Sequence, residues 1–266
     1  MNEENKDLEQ VVQEQDLNLQ PNVVSDQEVF EAQVQTKKES EDVPADAEPI
    51  EEQEGYVENY PVSEEALGEL EGDYLKVDPR VVGYRNLEEQ SIMYDFVASN
   101  FDASAESVLD IGCGRGDFLR HLEGIYQDDV SYHGIDLNKV LIGTAKELVP
   151  TGTFTATNLF KLDGNYAADW VVNIGGLSIM YEPAGNDFDQ MNALKNTVSK
   201  MMELADTAIV ISLLSLNTSE DYDESYIVYD PVEVLDWALN EYGQLGGNVR
   251  LDHSVADSIF TLTIYK

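Results

Sequence analysis

A glycine-rich turn between an apolar strand and a helix is the feature that most limits how this chain can fold. Residues 108–118 read VLDIGCGRGDF, in which the apolar run ends near Asp110 and a helix is predicted to begin after the third glycine. Glycine permits the tight turn that this spacing needs, and it lets a ligand lie against main-chain N–H groups at the start of the helix. The segment therefore predicts a ligand-binding loop above the end of a strand.

Asp136 ends a second predicted strand and completes the pattern. It follows Gly116 by about 20 residues, which is the spacing at which a carboxylate receives both ribose hydroxyls of an adenine nucleoside. The loop and this carboxylate together predict a nucleoside cofactor bound over a Rossmann-like sheet.

The position of the third glycine separates the candidate cofactors. Dinucleotide sites use G-x-G-x-x-G, which leaves room for pyrophosphate at the helix N-terminus. Here the pattern is G-x-G-x-G, and Asp117 stands where the last glycine is needed. A carboxylate there is expected to repel pyrophosphate, whereas Asp110 and Asp117 suit a ligand with an ammonium and a sulfonium group. The sequence therefore favours S-adenosylmethionine over NAD.

Strands and helices alternate in the remainder of the chain, and this alternation predicts the fold class. Helix starts are indicated by Asn86, by Asp187 and by the pair Asp230-Pro231. We expect an α/β, Rossmann-like doubly wound, mostly parallel seven-stranded sheet with a C-terminal antiparallel hairpin. The predicted strands are residues 107–111, 131–135, 153–158, 169–174, 207–214, 248–253 and 258–265.

The first 72 residues differ in composition from the rest, because they are rich in Glu, Gln, Val and Asp and have no strong helical or strand period. Low hydrophobicity with high net charge cannot offset the entropy of ordering. We therefore expect residues 1–72 to form an acidic, mostly disordered N-terminal tail before a single domain at residues 73–266. Such a tail either keeps the protein in solution or docks on a partner protein.

Removal of residues 1–72 is expected to leave cofactor binding and the melting transition nearly unchanged, because that segment buries little apolar surface. Calorimetry of the shortened chain beside the full chain measures both quantities. A large loss of stability would show that the segment is part of the fold.

Charge and cysteine content exclude several classes of protein. With 15 Lys and Arg against 53 Asp and Glu, the formal net charge is −38, so the chain repels nucleic-acid backbones and anionic membrane surfaces. The single cysteine, Cys113, rules out an intrachain disulfide and a multi-cysteine metal site. No signal peptide is expected, because the first 20 residues carry acids and glutamines instead of an apolar core. No transmembrane helix is expected either, because the sequence has no apolar run of about 18 residues. A soluble protein of the cytoplasm, a reducing compartment, is expected.

VLDIGCGRGDFL at 108–119, followed by YHGIDLN at 132–138, resembles the first two signature motifs of class I S-adenosylmethionine-dependent methyltransferases. The resemblance covers about residues 80–266 and implies transfer of a methyl group to a small-molecule or protein acceptor. The C-terminal segments VYDPVEVLDWALNEYG and FTLTIYK are also similar to methyltransferase-domain proteins encoded by bacteriophages. That similarity implies a location in the host cytoplasm or with the virion.

The same resemblance implies a role for each residue of the first motif. Around the methionine part and the sulfonium it places Asp110, Gly112, Gly114 and Gly116. Arg85 falls where related enzymes supply a group for the cofactor carboxylate, and a surface ion pair is the alternative role for this residue.

At the later strands, the resemblance implies that Asp136 holds the ribose and that Leu137 packs on the adenine face. Asn158 occupies the place where such enzymes contact the adenine amino group. Asn173 and Ile174 end the fourth predicted strand, where the methyl group is presented.

Candidate catalytic residues are less well defined. The chain has neither an Asn/Asp-Pro-Pro-aromatic element after the fourth strand nor a Pro-Cys dipeptide, which DNA methyltransferases carry. His253 ends the sixth predicted strand and is a candidate base near neutral pH, with a turn-stabilising role as the alternative. Tyr181 and Glu182, after the fourth strand, are comparable candidates. Residues 216–230 are expected to cover the site as a lid.

Two functions stay open on this basis. The chain is either an active methyltransferase or a catalytically silent methyltransferase-like binding or structural module whose acidic tail engages a partner. The intact glycine loop and Asp136 favour the enzyme, because a scaffold need not retain ligand groups.

Overall fold

The computed structural model describes residues 74–101, 105–125, 130–178, 189–218, 222, 226–243 and 248–266. The predicted tail lies outside these ranges, as do Tyr181, Glu182 and part of the predicted lid. Within them, no helix has the length and apolar composition needed to cross a membrane.

Helices and strands alternate along the described residues. The helices are α1 Tyr74–Val77, α2 Leu87–Ala98, α3 Asp117–Ile125, α4 Lys139–Leu148, α5 Gln190–Leu204 and α6 Pro231–Glu241. The strands are β1 Ser107–Ile111, β2 Ser131–Asp136, β3 Thr153–Ala156, β4 Ala168–Ile174, β5 Ala205–Ser215, β6 Val228–Tyr229, β7 Asn248–Asp252 and β8 Ile259–Tyr265. Short 3-10 helices cover Pro79–Val82, Leu159–Lys161 and Gly164–Tyr166.

The strands form one mixed sheet in the order β3-β2-β1-β4-β5-β8-β7. Strands β1 to β5 pair in parallel, and β8 runs antiparallel between β5 and β7. This arrangement confirms the predicted Rossmann-like α/β fold with its C-terminal hairpin. An eighth strand, β6, pairs with the end of β5; the sequence did not predict it because two residues carry no recognisable period.

Helices cover both faces of the sheet. Successive side chains of a strand point to opposite faces, so Leu109 and Ile111 of β1 join the core formed with α5 and α6. Val108 joins the second core, to which α2, α3 and α4 contribute. This two-layer cover explains why the parallel strands are buried apolar runs.

Side-chain caps set the start of most helices. The side chain of Asn86 accepts a hydrogen bond from the Glu89 amide at 2.8 Å, and Asp230 caps α6 ahead of Pro231, as predicted. The predicted start of α5, at Asp187, differs from the observed one. The structure begins this helix at Gln190, capped by Asp189, whereas Asp187 lies outside the described residues.

Candidate functional site

The strand order changes direction at β1, between β2 and β4. We call the region outside the carboxyl ends of β1, β2 and β4 the crevice. From β1 the chain builds β2 and β3 on one side, and then crosses to place β4 on the other side of β1. In open α/β sheets, ligands bind outside the carboxyl ends of the strands at such a switch point. The loop after β1, the pair Asp136-Leu137 after β2 and the end of β4 all meet this edge.

The loop after β1 requires its glycines. Gly112, Gly114 and Gly116 have φ angles of 77°, 56° and 79°, a region that side-chain-bearing residues rarely adopt. A Cβ on Gly116 would also lie 2.8 Å from Cζ of Phe154. The amide of Gly112 donates a hydrogen bond to the Ile135 carbonyl at 2.7 Å, which fixes the loop to the end of β2.

Asp136 links that loop to the start of α4. Its carboxylate is 4% exposed and accepts hydrogen bonds from the Gly114 amide at 2.9 Å and the Asn138 amide at 2.8 Å. Burial raises the pKa of Asp136, and these amide donors oppose the rise. Each oxygen still has lone-pair capacity for a further donor. Leu137 follows with 51% of its surface exposed, which gives the crevice an apolar neighbour.

Asp110 lies at the end of β1 and is 2% exposed. The Tyr132 hydroxyl donates a hydrogen bond to its Oδ2 atom, while Oδ1 is buried without a hydrogen-bond partner among the described residues. Burial raises the pKa of Asp110 to about 7; the Tyr132 hydroxyl lowers this pKa, and the negative charge of Asp136 adds to the rise. An unpartnered carboxylate oxygen at this depth is costly unless a ligand satisfies it.

Asp117 does not present the free negative charge that the sequence interpretation gave it. Its carboxylate accepts hydrogen bonds from Nε of the fully buried Arg115 at 2.7 Å and from Arg120 at 2.6 Å, and Gln90 donates a third at 3.2 Å. Two guanidinium groups thus neutralise it. The argument against pyrophosphate therefore cannot rest on the charge of Asp117.

An amino-terminal strap, residues 74–86, packs against the glycine loop. Arg115 donates from Nη1 to the Leu75 carbonyl at 2.9 Å, and a Cβ on Gly114 would lie 3.0 Å from Cγ1 of Val82. Arg85, at the end of the strap, forms an exposed ion pair with Glu89 at 3.2 Å. This ion pair is the alternative role that the sequence left open for Arg85.

The residues that end β3 and β4 hold the backbone at the crevice. Asn173 is 3% exposed; its amide group donates to the Ile111 carbonyl at 2.8 Å and accepts from the Leu177 amide at 3.2 Å. Ile174 beside it is half-buried. Asn158 accepts a hydrogen bond from the Phe160 amide at 2.9 Å and caps a 3-10 helix. The Phe160 side chain is 57% exposed near this end of β3, and sequence reasoning did not single it out.

The structure does not bring His253 to the crevice. It lies at the correct edge of the sheet, just after β7, but β5 and β8 stand between β7 and β4. Three strand spacings amount to about 14 Å. The ring of His253 is exposed, packs against Phe260 and has Nε2 3.1 Å from the Asp257 carbonyl. These contacts support the turn-stabilising alternative for His253.

Two functional candidates were not identified from the sequence. Tyr132 is the second residue of β2, and Arg115 lies in the glycine loop between Gly114 and Gly116. The signal available for Tyr132 was its place two residues before Gly134, on the same face of β2. For the described part of the chain, no group of His, Cys, Asp and Glu residues is arranged to hold a metal ion.

Comparisons with known proteins agree with this geometry. Residues 108–194, about a third of the chain, match the family model described as a methyltransferase domain. That segment runs from β1 into α5 and contains the glycine loop and Asp136. No curated protein sequence gives a significant match to the chain.

Solved structures show the likeness of the fold. The small RNA methyltransferase HEN1 is 14% identical, with a TM-score of 0.53 over 67% of this chain and 25% of that chain. The plantazolicin methyltransferase BpumL, solved with a triazolic desmethylPZN analog and SAH, is 15% identical, with a TM-score of 0.51 over 73% and 93% of the two chains. The methyltransferase domain of bacterial-CtHen1-CN is 17% identical, with a TM-score of 0.50 over 68% and 100%. The chain thus has the fold of these methyltransferases.

Proposed function

We propose that the chain is an S-adenosylmethionine-dependent methyltransferase that acts on a small molecule or a protein side chain. The observation that carries this proposal is the crevice between β1 and β4, where the glycine loop meets Asp110 and Asp136. The match of residues 108–194 to a methyltransferase family supports the same reaction class.

The residues at the crevice fit the parts of S-adenosylmethionine. The unpartnered Oδ1 of Asp110 is an acceptor for the ammonium group of its amino acid part. Asp136 has remaining acceptor capacity for ribose hydroxyls, and the exposed Leu137 and Phe160 side chains offer apolar surface to the adenine. Asn158 at the end of β3 is the candidate contact for the adenine amino group.

The work of the chain is alignment of two reactants and exclusion of water. When bound, S-adenosylmethionine supplies an electrophilic methyl group on a positively charged sulfur. The Asn173 amide ties β4 to β1, so the floor of the crevice keeps its geometry while the acceptor approaches. Alignment of two reactants lowers the barrier of such a reaction by up to about 7–11 kcal/mol. A base is needed only for a protonated acceptor, and Tyr181 and Glu182 remain the candidates for that role.

The charge of the chain favours a small-molecule or protein acceptor over RNA. A net charge of −38 opposes contact with a phosphate backbone. The specificity named for HEN1 is therefore not part of this proposal. The phage similarity and the docking role of residues 1–72 stay predictions from the sequence.

Titration with cofactor analogues tests the cofactor. We expect S-adenosylhomocysteine to raise the melting temperature of the full chain, because it carries the ammonium, ribose and adenine that the crevice fits. NAD is expected to give no shift in melting temperature, since Asp117 stands at the position where a dinucleotide site has the last glycine of G-x-G-x-x-G. Thermal-shift titration with each ligand decides the matter. A clear shift with NAD and none with S-adenosylhomocysteine would overturn both the cofactor and the reaction class.

A silent methyltransferase-like module is the second candidate, and the distance of His253 from the crevice favours it. This module would bind S-adenosylhomocysteine without transferring a methyl group. A labelled-methyl screen of small amines, thiols, carboxylates and proteins separates the two. Transfer to any acceptor establishes the enzyme, whereas cofactor binding with no transfer across the screen supports the module.

A further inference from the structure

Tyr132 and Asp110 form a buried polar pair under the glycine loop. Tyr132 is 5% exposed and donates its hydroxyl hydrogen to Oδ2 of Asp110. Its ring packs against Phe154 of β3, with ring centroids 5.9 Å apart. The pair therefore joins the interior of β2 to the end of β1 at the point where the loop begins.

The packing around the pair fixes the tyrosine hydroxyl in place. Gly134 lies between Tyr132 and Asp136 on the same face of β2, and a Cβ there would come within 2.8 Å of both Cys113 and Phe154. Cys113 and Phe154 therefore fill the space above Gly134, and the Tyr132 ring packs beside them against Phe154. The hydroxyl is held on one oxygen of Asp110 and leaves the other without a partner.

The titratable groups that face Asp110 come from each element packed against it. They are Tyr84 of the strap, Tyr94 of α2, Cys113 of the loop, and Tyr132 and Asp136 of β2. Burial raises the pKa of each of the three tyrosines and of the thiol, so these groups are neutral near pH 7. Asp136 is the remaining group, and its negative charge raises the pKa of Asp110. Within the described residues, the cationic side chains nearest in sequence, Arg115 and Arg120, are bonded to Asp117.

A buried carboxylate in such surroundings ionises only if something stabilises its charge. The Tyr132 hydroxyl is the stabilising donor: it lowers the pKa of Asp110, whereas burial and Asp136 raise it. A cation placed at Oδ1 would act in the same direction as the hydroxyl.

We propose that Tyr132 is a positioning residue for the cofactor, which favours the ionised form of Asp110 and leaves its Oδ1 atom available to the ammonium group. This inference rests on the proposed function, since the ammonium group belongs to S-adenosylmethionine and S-adenosylhomocysteine. Tyr132 touches neither ligand; it acts through Asp110.

The pH dependence of binding follows from this arrangement. As pH falls, Asp110 takes up a proton and loses its attraction for the ammonium group, so the affinity for S-adenosylhomocysteine weakens on the acid side. Removal of the hydroxyl leaves only the influences that raise the pKa of Asp110. The acid limb of the binding profile should then move to higher pH, by about one to two pH units for one hydrogen bond to a charged group.

The experiment compares the wild type with Tyr132→Phe, which keeps the ring packed against Phe154. Dissociation constants for S-adenosylhomocysteine are measured by calorimetry from pH 5.5 to pH 9. Tyr94→Phe is the matched control, because it also removes a buried hydroxyl near Asp110, but one that is bonded to Gln90 at 3.2 Å. We expect Tyr132→Phe to shift the acid limb, Tyr94→Phe to leave it in place, and Asp110→Asn to abolish it.

A second measurement does not depend on any variant. Calorimetry of the wild type near pH 6, in two buffers of different ionisation enthalpy, should show release of a proton on binding. Identical acid limbs for wild type and Tyr132→Phe, or no proton release by the wild type, would overturn the role of Tyr132 while leaving the cofactor assignment standing. Failure of the wild type to bind S-adenosylhomocysteine at any pH would instead overturn the proposed function.

Discussion

Replacement of Arg115 by alanine is expected to lower the free energy of unfolding by about 3–5 kcal/mol, the range for loss of one partner from a buried ion pair. Arg115 is fully buried and bonds both the Asp117 carboxylate at 2.7 Å and the Leu75 carbonyl at 2.9 Å. The variant leaves a buried carboxylate with less compensation and detaches the strap from the glycine loop. Equilibrium denaturation of the full chain measures the loss.

Arg120→Ala is the matched control, because it removes the second guanidinium from the same carboxylate. Arg120 is 46% exposed, so we expect its loss to cost no more than about 1 kcal/mol. Adding Asp117→Asn to Arg115→Ala should recover part of the stability, since it removes the buried charge that Arg120 alone is left to compensate. Equal losses for Arg115→Ala and Arg120→Ala would contradict the importance of burial in this cluster.

Replacement of Asp136 by alanine is expected to weaken binding of S-adenosylmethionine by about 1.5–3 kcal/mol, the range for hydrogen bonds to a charged group. This change corresponds to a roughly 10- to 150-fold rise in the dissociation constant. The structure adds a second reason for the effect. Asp136 also accepts hydrogen bonds from the Gly114 and Asn138 amides, so the alanine variant loosens the loop that meets the ligand.

Asp169 supplies the control for that experiment. Its carboxylate accepts hydrogen bonds from the Glu106 and Ser107 amides, both at 2.9 Å, but it lies at the amino-terminal end of β4, on the opposite edge of the sheet. Asp169→Ala should therefore reduce stability without changing affinity. An unchanged dissociation constant in a folded Asp136→Ala variant would remove Asp136 from the site.

The fold could be predicted from the sequence because the patterns that indicate its strands and helices are local. Buried parallel strands read as apolar runs, and Asn86 and Asp230 mark helix starts by the hydrogen bonds their side chains make to nearby amides. The start of α5 was harder, because residues 187–189 offer two aspartates as caps. The structure uses Asp189.

Only part of the candidate site could be predicted from the sequence. Residues chosen because they follow a strand, such as Gly112 and Asp136, do meet at one crevice, since the carboxyl ends of parallel strands share an edge. His253 lies three strands away from β4 because the hairpin inserts β8 between β5 and β7, and lateral distance depends on strand order, not chain order. Two further features depend on which side chains pack together, and no local sequence pattern specifies this. They are the ion pairs of Asp117 with Arg115 and Arg120, and the hydrogen bond from the Tyr132 hydroxyl to Asp110.

The glycine loop also contains a cysteine whose reactivity can report on the motion of the loop. Cys113 is the only cysteine in the chain, and it is buried directly beside Gly134. The thiolate is the nucleophile that reacts with thiol reagents, and burial holds the pKa of this thiol well above its usual range. Labelling of the native protein therefore requires the loop to lift from β2. The labelling rate reports how often the loop opens, and its slowing by a bound ligand reports how firmly the ligand closes it.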